Sequence, residues 1–232
     1  MNKKLIQSIL SPLFFCFILI SCNSLKKEEK VEEKPTTPEF WEKAIVKFER
    51  EDEENPPKPE EILFIGSSSF TLWKDVADYF PGKEIINRGF GGAQTRDVLF
   101  YKERLILPYQ PSQVVIYIGE NDISVGKTAS ETAYSVEELI DWILQQFPNT
   151  SIVYISIKPS PSKWDLRDKM QDANKLIALF AAQNEKVKFI DVWDSMLNEE
   201  GKPPISIFLE DSLHMNDKGY AIWQKKIAPY LK

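Results

Sequence analysis

The sequence predicts a three-layer α/β/α domain on a central parallel five-stranded sheet, and three observations predict it. Short apolar runs at Ile62 to Ile65, Glu84 to Asn87, Val114 to Ile118, Ile152 to Ile157 and Val187 to Ile190 have the length of strands. Longer stretches with helical spacing lie between them, and repeated strand–helix units imply parallel strands covered on both faces. A content of 43% hydrophobic and 12% aromatic residues is enough for a sizeable core, which excludes disorder of the whole. There is no sign of an internal repeat or a second domain.

The chain starts with a segment that reads as an export leader. Lys3 and Lys4 precede a largely apolar run from Leu5 to Ile20, interrupted by Gln7, Ser8, Ser11 and Pro12, too short and broken for a membrane span. Leu19-Ile20-Ser21-Cys22 resembles the lipobox of bacterial lipoproteins. That resemblance implies removal of residues 1–21, acylation of Cys22, and a domain held at the inner or outer membrane of the bacterial cell envelope, outside the cytoplasm. Cys16 then leaves with the leader and Cys22 is consumed by lipid, so no internal disulfide is expected. Losing the two lysines takes 29 basic residues to 27 against 35 acidic ones, and the net charge from −6 to −8. No polybasic face for nucleic acid appears. Residues 22–36 have the Lys/Glu-rich composition of a solvated tether, and residues 37–232 form the domain.

Order is expected to begin with Thr37 as an N-cap, Pro38 at the first helical position, and Phe40, Trp41, Ala44, Ile45 and Phe48 along one docking face. The acidic run Glu51 to Glu54, read as a solvated face, and Pro56-Pro57 stop that helix. Further helices are predicted at Leu72 to Phe80, Asp97 to Leu107, Ser135 to Phe147, Asp165 to Asn184 and Lys218 to Tyr230.

In such a sheet, ligands sit beyond the carboxyl ends of the strands. Three polar clusters directly follow strands: Gly66-Ser67-Ser68-Ser69-Phe70-Thr71, Asn87-Arg88-Gly89-Phe90-Gly91-Gly92 and Gly119-Glu120-Asn121-Asp122. A fourth, Asp211-Ser212-Leu213-His214, precedes the last helix and holds the only histidine. An aspartate three residues before a histidine, about one helical turn away, can reach ring Nδ1 and leave Nε2 free to take a proton. A tight strand-to-helix turn can expose a serine Oγ and aim backbone N–H groups at a developing oxyanion. Each cluster alone has a plainer reading: a helix cap for the serines, a turn for Asn121-Asp122 or for Asp211 and His214. The glycines do not fit the dinucleotide pattern, since Gln94 stands where its third glycine belongs.

In order and joint placement, the clusters resemble the four blocks of the SGNH, or GDSL, hydrolases over about residues 60 to 230. The resemblance implies the flavodoxin-like SGNH hydrolase fold and a serine esterase working through an acyl-enzyme, and the lack of a long apolar lid segment in the sequence points to a small or medium acyl group. Ser68 then stands in the nucleophile's place, Gly92 matches the block-two glycine, Asn121 the block-three asparagine, and Asp211 and His214 the last block. The oxyanion hole implied is Ser68 N–H, Gly92 N–H and the Asn121 amide. Ser67 replaces the family's usual aspartate, which keeps Ser67 and Ser69 as alternative nucleophiles. Gly-Ser-Ser-Ser, Asn-Arg-Gly-Phe-Gly-Gly and Ser156-Ile157-Lys158-Pro159-Ser160-Pro161 together resemble one bacterial branch of the family.

No cofactor is expected, and zinc is disfavoured because one histidine and one lipid-modified cysteine are too few ligands. The expected partners are an ester substrate, of a lipid, a carbohydrate O-acyl group or another acyl ester, and the membrane through the N-terminal lipid. Trp73, Phe90, Tyr101 and Trp164 lie near the predicted cleft, where they can stack on a sugar or line an acyl pocket, with core packing the main role for most. Two other readings stand beside the esterase. One is a flavin-nucleotide or phosphate binder with Ser67, Ser68, Ser69 and Thr71 as a cradle. The other is a non-catalytic, envelope-binding lipoprotein.

Overall fold

The computed structural model describes residues 37–232. The leader, Cys22 and the tether lie outside the described residues. Strands β1 (Ile62–Gly66), β2 (Ile85–Gly89), β3 (Gln113–Tyr117), β4 (Ser151–Ile155) and β5 (Val187–Ile190) form one parallel sheet in the order β2-β1-β3-β4-β5. The predicted five-stranded parallel sheet is thus present, with small shifts at the strand ends.

Successive strand residues point to opposite faces, so each strand feeds two cores. Leu63, Ile65, Val114, Ile116, Ile152 and Tyr154 pack against α1 (Glu42–Glu54), α4 (Thr95–Ile106), α6 (Ala129–Gln146) and α7 (Arg167–Ala181). Phe64, Val115, Tyr117, Val153 and Ile155 pack against α2 (Ser68–Thr71), α3 (Val76–Tyr79) and α8 (Asp217–Ile227). Each of these fully buried side chains contributes roughly 1.5–3 kcal/mol. A short helix α5 (Glu120–Ser124) follows β3. Among the described residues no helix is long and apolar enough to cross a membrane.

Several local expectations need correction. Thr37 makes no side-chain cap bond; the entry is a 3-10 turn, Pro38–Trp41, and Phe40 faces solvent while Trp41 and Ile45 are buried. The acidic run is helical and only partly solvated, because Asp52 pairs with Arg88 and accepts from Tyr109 Oη at 2.6 Å. Within the predicted helix Leu72 to Phe80 only the single turn α3 is helical, and the turn before it, α2, ends at Thr71. Asn87 of β2 donates Nδ2–H to the carbonyls of Phe70 (2.7 Å) and Trp73 (3.2 Å), which also accept Trp73 N–H and Val76 N–H in three-residue turns, so this segment is pinned to the sheet. Helix α6 starts at Ala129 rather than Ser135, since Thr128 and Glu131 form a reciprocal capping box.

Candidate active site

Gly66 ends β1 at φ +148°, and a Cβ there would lie 1.9 Å from Tyr117 O. Only glycine lets the chain turn this close to β3, and the turn delivers Ser67 to Ser69 to the rim of the sheet. Ser67 and Ser69 are buried at 2% and 1% exposure, whereas Ser68 is half-buried. Of the three serines, Ser68 is thus the accessible one. Thr71 Oγ1 donates to Ser67 O, so the hydroxyls expected of a phosphate cradle are mostly enclosed or engaged. Tyr220 Oη, donating to Ser69 O at 2.8 Å, and the Asn87 amide fix α2 from two further elements.

His214 Nε2 lies 2.9 Å from Ser68 Oγ, and His214 Nδ1 lies 2.5 Å from Asp211 Oδ2. Burial pushes the Asp211 carboxyl up, but bonds from the His214 ring and from the N–H groups of His214 and Leu213 outweigh it and hold the pKa at about 2. An ionised carboxylate only accepts, so Nδ1 carries the ring proton and Nε2 presents its lone pair to Ser68. The Asp-x-x-His spacing works without the helical turn the sequence suggested. Residues 211–214 form a loop in which Ser212 takes a left-handed φ of +56° and Asp211 Oδ1 accepts both backbone N–H groups at 2.9 Å.

The glycine loop adjoins this group through Phe90 N–H, which donates to Gly66 O at 3.0 Å. Gly92 is exposed with φ +78°. Among the described residues, neither Ser68 N–H nor Gly92 N–H donates to a protein acceptor. Asn121, half-buried on α5, donates Nδ2–H to Ala93 O at 3.0 Å, which ties it to the residue after Gly92 and leaves its second amide hydrogen. The expected nucleophile, base and orienting acid are thus linked in series, Ser68 to His214 to Asp211, and Asn121 is tied by one hydrogen bond to Ala93, the residue after Gly92.

A family model, GDSL-like Lipase/Acylhydrolase, matches residues 66–222. The chain belongs to the GDSL-like lipase/acylhydrolase family.

Among solved structures, a proposed platelet activating factor from Streptococcus pneumonia is 26% identical, with a TM-score of 0.73 over 82% of this chain and 92% of that one. A GDSL-like lipase from Bacteroides thetaiotaomicron is 20% identical, with a TM-score of 0.68 over 80% of this chain and 95% of that one, and shares the fold. An N-acylneuraminate cytidylyltransferase from Escherichia coli is 25% identical over 177 residues, 74% of this chain; the match spans only 40% of that relative's length. Membership in this acylhydrolase family supports hydrolysis of acyl esters as the chemistry.

The GDSL-like site has parts the motif does not announce. Trp41 Nε1–H donates to Gly91 O at 2.6 Å, so the N-terminal turn buttresses the glycine loop. Asp122, fully buried, accepts from Thr95 N–H (3.0 Å) and Thr95 Oγ1 (3.2 Å), locking the start of α4 to α5. Ser67 stands where an aspartate is usual, yet the start of α2 is held by its backbone: Ser67 O accepts the N–H groups of Phe70 and Thr71. Trp73, Phe90 and Tyr101 belong to the core rather than the cleft, each 2% exposed or less, while half-buried Trp164 stacks on Trp193 at 6.4 Å. Next to Asn121, Glu120 is buried with Lys158, Lys163 and Tyr117 around it. Lys158 stands in the Ser156 to Pro161 run visible in the sequence, but its partner is 38 residues away.

Proposed function

We propose that the protein is a serine esterase that cleaves a small or medium acyl group through an acyl-enzyme on Ser68. The observation that carries this is the 2.9 Å approach of His214 Nε2 to Ser68 Oγ, with Asp211 on the other ring nitrogen. His214 takes the Ser68 proton as Oγ attacks the ester carbonyl carbon. The carbonyl electron pair moves to oxygen, where Ser68 N–H, Gly92 N–H and the free Asn121 hydrogen receive it. The intermediate collapses, the C–O bond to the alcohol breaks, and His214 returns the proton to the leaving alkoxide. Water, deprotonated by the same imidazole, attacks the acyl-enzyme, and collapse releases the acid and restores Ser68.

Support for a short acyl chain comes from the sequence, which offers no long apolar lid segment. With residues 1–21 as leader and Cys22 acylated, the substrate is an acyl ester reached from the cell envelope by a lipid-anchored domain. The test is labelling with a fluorophosphonate together with turnover of p-nitrophenyl acetate, butyrate and palmitate. Labelling and turnover are expected in the wild type, falling with chain length, and absent in Ser68→Ala. A Ser68→Ala protein that labels and turns over like the wild type overturns the assignment.

A further inference from the structure

Asn121 is assigned an oxyanion contact, and an amide can present either of its two ends. Two groups decide the end: Ala93 O accepts from Nδ2, and the Lys163 ammonium stands at Oδ1. Lys163 lies in the 3-10 turn Pro161–Leu166, at a non-helical φ of −119° and ψ of 21°. Its ammonium lies 3.4 Å from Asn121 Oδ1 and 3.3 Å from Glu120 Oε1, with the side chain 16% exposed. Glu120 is shared: Lys158 Nζ lies 3.1 Å from Oε2, and Tyr117 Oη donates to the same oxygen at 2.6 Å. Two ammonium groups therefore face one carboxylate, and Lys163 is the one beside Asn121.

We propose that Lys163 is a positioning residue of the oxyanion site, orienting and polarising the Asn121 amide with a positive charge that Glu120 does not fully compensate. This role rests on the Ser68 reading above. An ammonium can only donate, so Asn121 must turn Oδ1 toward Lys163 and Nδ2 away from it. Donation to Oδ1 draws electron density from the amide and strengthens its N–H as a donor to a developing anion. The same turn reaches the other half of the site: Ser162 N–H donates to Ser212 O at 3.1 Å, within the Asp211 to His214 loop. One short turn thus braces both the oxyanion donor and the acid–base pair.

The experiment is a kinetic cycle with p-nitrophenyl acetate on the purified full-length protein. Lys163→Met is expected to lower kcat about ten- to thirtyfold with KM within about twofold, because the interaction grows only as charge develops. Lys163→Arg, which keeps charge and donors, is expected to stay within about threefold of the wild type. In an Asn121→Ala background the Lys163→Met change is expected to alter kcat by less than about twofold, since its route is gone. Lys163→Gln replaces methionine if thermal melting shows that variant to be unfolded. Equal losses in both backgrounds, arginine no better than methionine, or a rise in KM at constant kcat overturns the role. Loss of turnover in Ser68→Ala within the same series marks the underlying reading as sound. A wild type without Ser68-dependent turnover overturns both.

Discussion

Asp211 holds His214 at two levels: Oδ2 meets ring Nδ1 at 2.5 Å and Oδ1 accepts the backbone N–H at 2.9 Å. One carboxylate thus sets both the position of the imidazole and its tautomer. Asp211→Asn replaces a group that only accepts with one that can donate to Nδ1, shifting the proton to Nε2 and closing the base toward Ser68. Its kcat for a p-nitrophenyl ester is expected to fall roughly 10³- to 10⁴-fold. The Asp211 side chain is 47% exposed, so the urea midpoint is expected to move little. A variant that retains activity removes the orienting role.

Gly66→Ala tests the turn that presents the nucleophile. The added methyl meets a backbone carbonyl at 1.9 Å, and φ is +148°, so relief requires β1 or β3 to move. A loss of about 3–5 kcal/mol in urea unfolding is expected, from strained backbone and overpacking together. Near-wild-type stability and activity would show that the strand end has slack.

Asn121→Ala removes a donor and leaves the nucleophile and base in place. A fall of about 10²- to 10³-fold in kcat, with a small effect on KM, is expected for an oxyanion contact made mainly in the transition state. The variant also loses the 3.0 Å bond to Ala93 O, so its melting temperature is read beside the kinetics. Unchanged kcat excludes Asn121 from the oxyanion hole.

The strands were legible because a parallel sheet covered on both faces writes continuous apolar runs. The site was legible in part for the same reason: polar residues that interrupt such runs at the strand ends stand out. What escaped is what depends on distant partners. Asn87, 17 residues from Phe70 and 14 from Trp73, pins to the sheet a segment where periodicity suggests a helix from Leu72 to Phe80. Asp52 looks like one more solvated acid until Arg88 and Tyr109 meet it. Asp211 and His214 were identified from spacing, but their contact arises in a loop with Ser212 at positive φ rather than in a helix. Thr128 and Glu131 did carry a local capping signal, and it outranks the periodicity that points to Ser135.

Glu120 is the carboxylate paired with the buried ammonium of Lys158. Burial pushes the Glu120 carboxyl up, yet the nearby charges of Lys158 and Lys163, with Tyr117 donating to it, bring its pKa down to about 2 from 4.5. A carboxyl depressed on folding stabilises the fold fully above its ordinary pKa, and that contribution is lost as pH falls through about 2. Glu120→Gln removes the charge and strands Lys158, whose own pKa burial already pulls below 10.5. A loss of about 3–5 kcal/mol is expected at neutral pH. The deficit should shrink as pH rises toward the ordinary lysine range, where the ammonium can shed its proton. Replacing both partners, Glu120→Met with Lys158→Met, is expected to recover much of the loss, since an apolar pair leaves no buried charge. Urea titrations of the three proteins between pH 5 and 10 check this. A deficit in Glu120→Gln that is flat with pH means the stranded charge is not its cause.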